Sequence, residues 1–153
     1  IGGLDIVATE DTNWTQEGTF SAVSAILSRF DDIDGYIYDY ADGFRGGVRA
    51  YQSAGKPLDI VVALRTDEQG LFCDMKVAEN PNFKIFYSSG QNYQARLALT
   101  AAMMSLAGEE IPANLDVPFS MKQASADQCD PSLPDEVSVS TVVDPDTLRA
   151  MFN

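Results

Sequence analysis

Four times between Leu4 and Ala107 a short apolar run is followed, after a few polar residues, by a longer stretch whose apolar side chains recur with helical period. That alternation leaves few folds open. Strands separated by helices cannot pair through tight hairpins, so they lie parallel, and right-handed crossovers lay the helices against the sheet. The expected class is α/β, with a doubly wound, mostly parallel sheet.

The runs can be placed one by one. Leu4 to Ala8 reads as a buried strand, and Asn13 with Gln16 three residues on reads as the capped start of a helix carrying Phe20, Val23, Ile26, Leu27 and Phe30. Asp34-Gly35 turns the chain into a strand at Tyr36 to Tyr38. A helix with Phe44, Val48 and Tyr51 then ends at Gly55, and its Gly46-Gly47 pair weakens it, which points to close packing. Leu58 to Leu64 is the most continuous apolar strand and is expected to be central and covered on both faces. A helix over Asp67 to Glu79, a strand at Phe83 to Tyr87 and the longest helix, Gln91 to Ala107 before Gly108, complete the series. Beyond it the pattern changes: a strand at Leu115 to Phe119, a polar loop from Ser125 to Pro134, an alternating stretch from Glu136 to Val143, and a short helix from Asp144-Pro145 through Met151. The whole reads as one domain over 1–153, with βα repeats in 1–108 and a return crossing with a tail in 109–153.

Composition removes several functions. The sequence has no histidine, and so lacks the commonest general base, the commonest metal ligand and every Ser-His or Cys-His pair. A formal charge of −13 repels polyphosphate, which disfavours nucleic-acid binding. The Gly2-Gly3 and Gly46-Gly47 pairs lack the three-glycine spacing of a dinucleotide fingerprint, and no cofactor or metal is expected. No apolar run is long enough to span a membrane, and the start at Ile1 carries no leader pattern, so the chain is expected to be soluble and to begin inside a longer product. Cys73, on the helix after the central strand, and Cys129, in the polar loop, are expected to be either disulfide-bonded or both buried thiols, the bond being favoured because it would pin a weakly anchored segment.

In an open parallel sheet, ligands bind beyond the carboxyl ends of the strands. Four loops converge there: Glu10 to Gln16, Asp39 to Asp42, Arg65 to Glu68, and Ser88 to Asn92. They carry one flat aromatic among amides, hydroxyls and charged groups, a mixture suited to a polyhydroxylated or small polar solute. Other roles compete for the same residues. Asp11 and Asn13 suit turns and caps, Trp14 suits a hydrophobic staple, and the acids Asp39, Asp42, Asp67 and Glu68 suit solvated or helix-start positions better than a metal cluster. Arg65 would be accounted for equally by an ion pair with Asp39 or Asp67.

From Leu4 to about Pro118 the sequence resembles the second half of type I periplasmic sugar-binding proteins, the group that includes ribose receptors and shares its fold with LacI-type repressor cores. The run NWTQEGTFSAVSAILSRFDDIDGYIYDYADGFRGGVRAYQSAGKPLDIVVAL resembles the family's aromatic-led helix, its Asp-Gly turn, its glycine-bearing helix and the apolar strand that follows. ALTAAMMSLAGEEIP is similar to the helix before the return crossing. The resemblance implies a flavodoxin- or Rossmann-like three-layer lobe, the carboxy-terminal half of a periplasmic receptor that closes on a solute and presents it to an ABC permease. It implies no enzyme activity. It also implies an N-terminal lobe and an upstream strand and helix that precede Ile1 in the family. Trp14 matches the aromatic that stacks on the sugar ring, while Gln16, Tyr40, Arg65 and Ser88 stand at binding positions with altered residue types, and Asp39 adjoins them. Because a guanidinium only donates hydrogen bonds, Arg65 points, among sugars, sugar acids and polyols, to a solute with an anionic group such as a sugar acid, or to a hydroxyl cluster read through its acceptors. The other reading of the same fold is the effector-binding core of a LacI-type transcription regulator.

Overall fold

Helices in this chain begin and end where local chemistry stops the backbone from continuing. In the computed structural model, residues 3–89, 91–111 and 121–140 are described, without the side chains of 91–94 and 96. Helix α1 spans Gln16–Arg29, and its cap is Thr15, whose Oγ1 accepts the Gly18 N–H at 2.9 Å. The sequence had pointed to Asn13 and Gln16 instead. Thr15 takes over because Asn13 adopts a left-handed conformation (φ 50°) and the Gln16 amide reaches Asp42. Strand β1 is Gly35–Ile37, and helix α2 runs Ala41–Ala54 until Gly55 turns left-handed (φ 63°). Strand β2 is Val61–Leu64, α3 is Gln69–Ala78, β3 is Lys84–Tyr87 and α4 is Gln91–Ala107.

The sheet order is β1-β2-β3-β4, with the first three strands parallel. The short β4, Lys122–Gln123, runs antiparallel to β3 and pairs Phe86 with Gln123. The α/β class and the mostly parallel sheet are therefore as the alternation requires. Side chains of one face, Val62, Leu64, Ile85 and Tyr87, are buried together with Phe44, Val48, Leu71 and Phe72 of α2 and α3. Helix α1 is the outer partner of α2. A Cβ on Gly46 would sit 1.9 Å from the Gln16 carbonyl oxygen, so only glycine lets the two helices approach this closely.

Three expectations need correction. Leu4 to Ala8 is neither strand nor buried: Leu4 and Ile6 are 65% and 79% exposed, and among the described residues no neighbouring strand supplies the hydrogen-bonding partners a strand needs. The 58–64 strand is not covered on both faces, since Val61 is 41% exposed and Ile37 beside it on β1 83%. Glu136 to Ser140 makes one isolated bridge, Ser138 with Glu68, rather than a strand, its backbone bonds going instead to α3 and Asp67. The expected strand at Leu115 to Phe119 and the helix from Asp144 fall outside the described residues, as does the end of the alternating stretch.

Candidate functional site

Parallel register places the site. Ile37 pairs with Ala63, and the ladder continues past the strand ends, with Tyr38 N–H donating to the Ala63 carbonyl at 2.9 Å and Arg65 N–H to the Asp39 carbonyl at 3.0 Å. Residues 39 and 65 therefore leave the carboxyl edge side by side. Ser88 N–H donates to the Leu64 carbonyl at 3.0 Å, which brings the end of β3 to the same edge.

An open cleft of about 600 Å³ lies there. Trp14, Asp39, Arg65 and Ser88 line it, and Glu10, Asp11 and Thr12 of the loop before α1 form its rim. Ile37, Tyr38, Ala63, Leu64 and Met121 complete its lining. Gln16 and Tyr40, also named from the sequence, are not among the lining residues. The Gln16 amide donates to both Asp42 carboxylate oxygens at 3.0 and 3.1 Å, and the Tyr40 hydroxyl donates to the Trp14 carbonyl. Burial, reinforced by Asp42, raises the Tyr40 pKa, which keeps its hydroxyl a donor.

The loop carrying Trp14 is held in an unfavourable shape. Both Asn13 and Trp14 have positive φ, 50° and 53°, a left-handed geometry that costs a residue with a Cβ roughly 1–2 kcal/mol. Compensating bonds surround it. Asn13 N–H donates to Asp11 Oδ1 at 2.9 Å, Thr15 N–H to the Thr12 carbonyl at 3.1 Å, and the Tyr38 hydroxyl lies between the Thr12 and Thr19 hydroxyls at 2.9 and 2.7 Å. The part played by Tyr38 was readable only as an inference from its alternation with Tyr36 and Tyr40, which puts it on the face opposite Ile37.

Among the described residues the one cation lining the cleft, Arg65, is paired but not hidden. Arg65 Nε lies 2.8 Å from Asp39 Oδ1, and its Nη2 donates to Oδ2 at 3.2 Å. The Arg65 side chain is nevertheless 65% exposed. The ion pair that the sequence allowed thus exists inside the cleft, and it presents donors and acceptors together with no net charge. The remaining acids have other work. Glu68 Oε2 accepts the Ala41 N–H at 2.9 Å and the Thr66 hydroxyl, so this chain's own carboxylate occupies the amino-terminus of α2. Buried Asp67 accepts the Ser138 hydroxyl at 2.6 Å and the Ser140 N–H at 2.8 Å. Among the described residues no group of acids and cysteines is placed to hold a metal ion. Cys73 and Cys129 are joined in a disulfide, and neither lines the cleft.

No family model and no curated protein matches the chain. Solved structures do. An ABC transporter solute-binding protein from Agrobacterium vitis with bound D-fucose aligns at a TM-score of 0.63 and 16% identity, over 80% of this chain and 40% of that one. A sugar transporter from Clostridium phytofermentans aligns at 0.54 and 15% identity, over 74% and 39%. A protein from Mycobacterium smegmatis aligns at 0.57 and 20% identity, over 78% and 39%. The chain therefore spans about two fifths of the length of these proteins, and it has the α/β lobe fold found in ABC solute-binding proteins.

Proposed function

We propose that the chain is the carboxy-terminal lobe of a periplasmic solute-binding protein, one that holds a sugar or sugar-like solute between two lobes and delivers it to an ABC permease. The carrying observation is the cleft at the carboxyl edge of the sheet, where Trp14, Asp39, Arg65 and Ser88 converge in a fold shared with sugar-binding receptors. Trp14 covers a ring face, and the Asp39–Arg65 pair supplies an acceptor beside a donor, the arrangement that vicinal hydroxyls require. Because that pair is neutral and Glu68 fills the α2 terminus, a neutral sugar or polyol fits this cleft better than a sugar acid. The work is binding without chemistry. The cleft is open, so a facing lobe must exclude water from the solute.

The test is a thermal-shift and calorimetric screen of neutral sugars, D-fucose included, with sugar acids and polyols, on protein carrying both lobes. A neutral sugar should raise the melting temperature. Arg65→Ala should then cost about 1.5–3 kcal/mol of binding, the worth of a charge-assisted hydrogen bond, and Trp14→Ala should weaken every solute with a ring face. Unchanged affinity in both variants would put the solute somewhere else.

A further inference from the structure

Two adjacent residues at the end of β1 reach the same neighbour from opposite sides. Tyr40 donates its hydroxyl to the Trp14 carbonyl, and Asp39 Oδ2 accepts the indole Nε1–H at 3.1 Å. Trp14 is thereby held at its backbone and at its ring edge. It has little other support, being 66% exposed and standing second in a pair of left-handed residues. Asp39 also takes both Nε and Nη2 of Arg65. One carboxylate therefore binds the flat ring and the planar guanidinium together, and neither can turn without breaking a bond to it.

We propose that Asp39 and Tyr40 are positioning residues: they fix the plane of the Trp14 indole and the fork of Arg65 in one hydrogen-bonded frame before any solute arrives. The proposal rests on reading the cleft as a solute site and assigns the preorganisation of that site. Asp39 and Arg65 are too exposed for their bonds to add much to the stability of the fold, since solvent screens such pairs. Their effect falls on orientation. A ring and a fork already set in place lose less freedom when a solute binds, which is the gain of a preorganised site.

Trp14 is the only tryptophan, so intrinsic fluorescence reports on this residue alone. The experiment compares time-resolved anisotropy and acrylamide quenching in the parent chain, Asp39→Asn, Asp39→Ala and Tyr40→Phe, with no solute added and with circular dichroism as the check on folding. In Asp39→Asn one amide oxygen replaces two carboxylate oxygens that serve three donors, so indole motion and quenching should rise, and they should rise further in Asp39→Ala. Tyr40→Phe keeps its ring beside Tyr38, 6.1 Å between centroids, and removes only the donor to the Trp14 carbonyl. It should loosen the indole at an unchanged fold, and it gives the same readout should either Asp39 variant fail to fold. Anisotropy and quenching equal to the parent's in the folded variants would overturn the proposal. Because no solute is used, an empty solute screen leaves this result standing, and a freely moving indole in the parent overturns the frame without touching the screen.

Discussion

The helical layer with the parallel strands it covers, residues 16–87, and the return segment over residues 121–140 are held in place by different physics. In the first, large side chains such as Phe44, Val48, Leu71, Phe72 and Ile85 are buried against one another. In the second, Ala124 and Val137 are the buried hydrophobic side chains, and attachment is by point contacts. Gln69 donates its amide to the Leu133 and Pro134 carbonyls at 2.9 and 2.8 Å and accepts the Asp130 N–H at 2.9 Å. Arg45 meets both Asp74 and Asp135, and the disulfide ties α3 to Cys129. The service is mutual: α3 has no side-chain cap, and the carbonyls of Val137 and Asp135 accept the N–H groups of Gln69 and Gly70 at its first turn. Apolar burial spreads over many weak contacts, whereas the return segment depends on a few specific ones, so the two should fail under different insults.

The largest expected effect falls on the helical layer. Phe44→Ala removes a ring packed 5.3 Å from Tyr36 and 5.8 Å from Tyr38 between centroids, and should cost about 3–5 kcal/mol, seen as a lower midpoint in urea unfolding. A loss under about 1 kcal/mol would mean the layer is not the packed body described. Next comes the disulfide. Reduction, or Cys73→Ser with Cys129→Ser, opens a link across 56 residues and should cost about 2–4 kcal/mol. Hydrogen exchange sharpens the comparison: amides of 121–140 should speed up first, while β2 and β3 keep their protection. Equal acceleration in both regions would erase the distinction.

The same difference explains what could be read from the sequence. Helical period and continuous apolar runs are signatures of burial, so the Gly55 stop of α2 and both ends of α4 were legible in the sequence. Leu4 to Ala8 shows the limit, since apolar content makes a strand only where a neighbour accepts its backbone. β4 carries no apolar signal at all, being Lys122 and Gln123, and its pairing follows from a turn back onto β3 that periodicity cannot reveal. At the cleft, Asp39, Arg65 and Ser88 stand where strand ends in a parallel sheet have a predictable address, whereas Trp14 comes from the loop before α1, with no strand over 4–8 ahead of it. The inward turn of Gln16 and Tyr40 was not legible, because it depends on which neighbour each side chain reaches, Asp42 in one case and the Trp14 carbonyl in the other.

The smallest expected effect is a pH dependence confined to the helical layer. Burial raises the pKa of Tyr36 and Tyr51, whose hydroxyls lie 3.2 Å apart, and burial with nearby acids raises that of Tyr40. A tyrosine with a raised folded pKa keeps its proton where the unfolded chain has released one. Stability is therefore constant below the unfolded value, about pH 10, and falls as pH rises beyond it, by at most about 1.4 kcal/mol per unit each for Tyr36 and Tyr51 and by less for Tyr40, whose partial exposure lets solvent screen the effect. The disulfide that ties down the return segment does not titrate and adds nothing to this slope. Melting curves from pH 8 to 11, with tyrosinate absorbance as the proton count, should stay flat and then decline, and Tyr36→Phe should reduce the decline. A fall already under way at pH 8, or a slope untouched when Tyr36, Tyr40 and Tyr51 are all changed to Phe, would place the titrating group outside the helical layer and break the separation between the two regions.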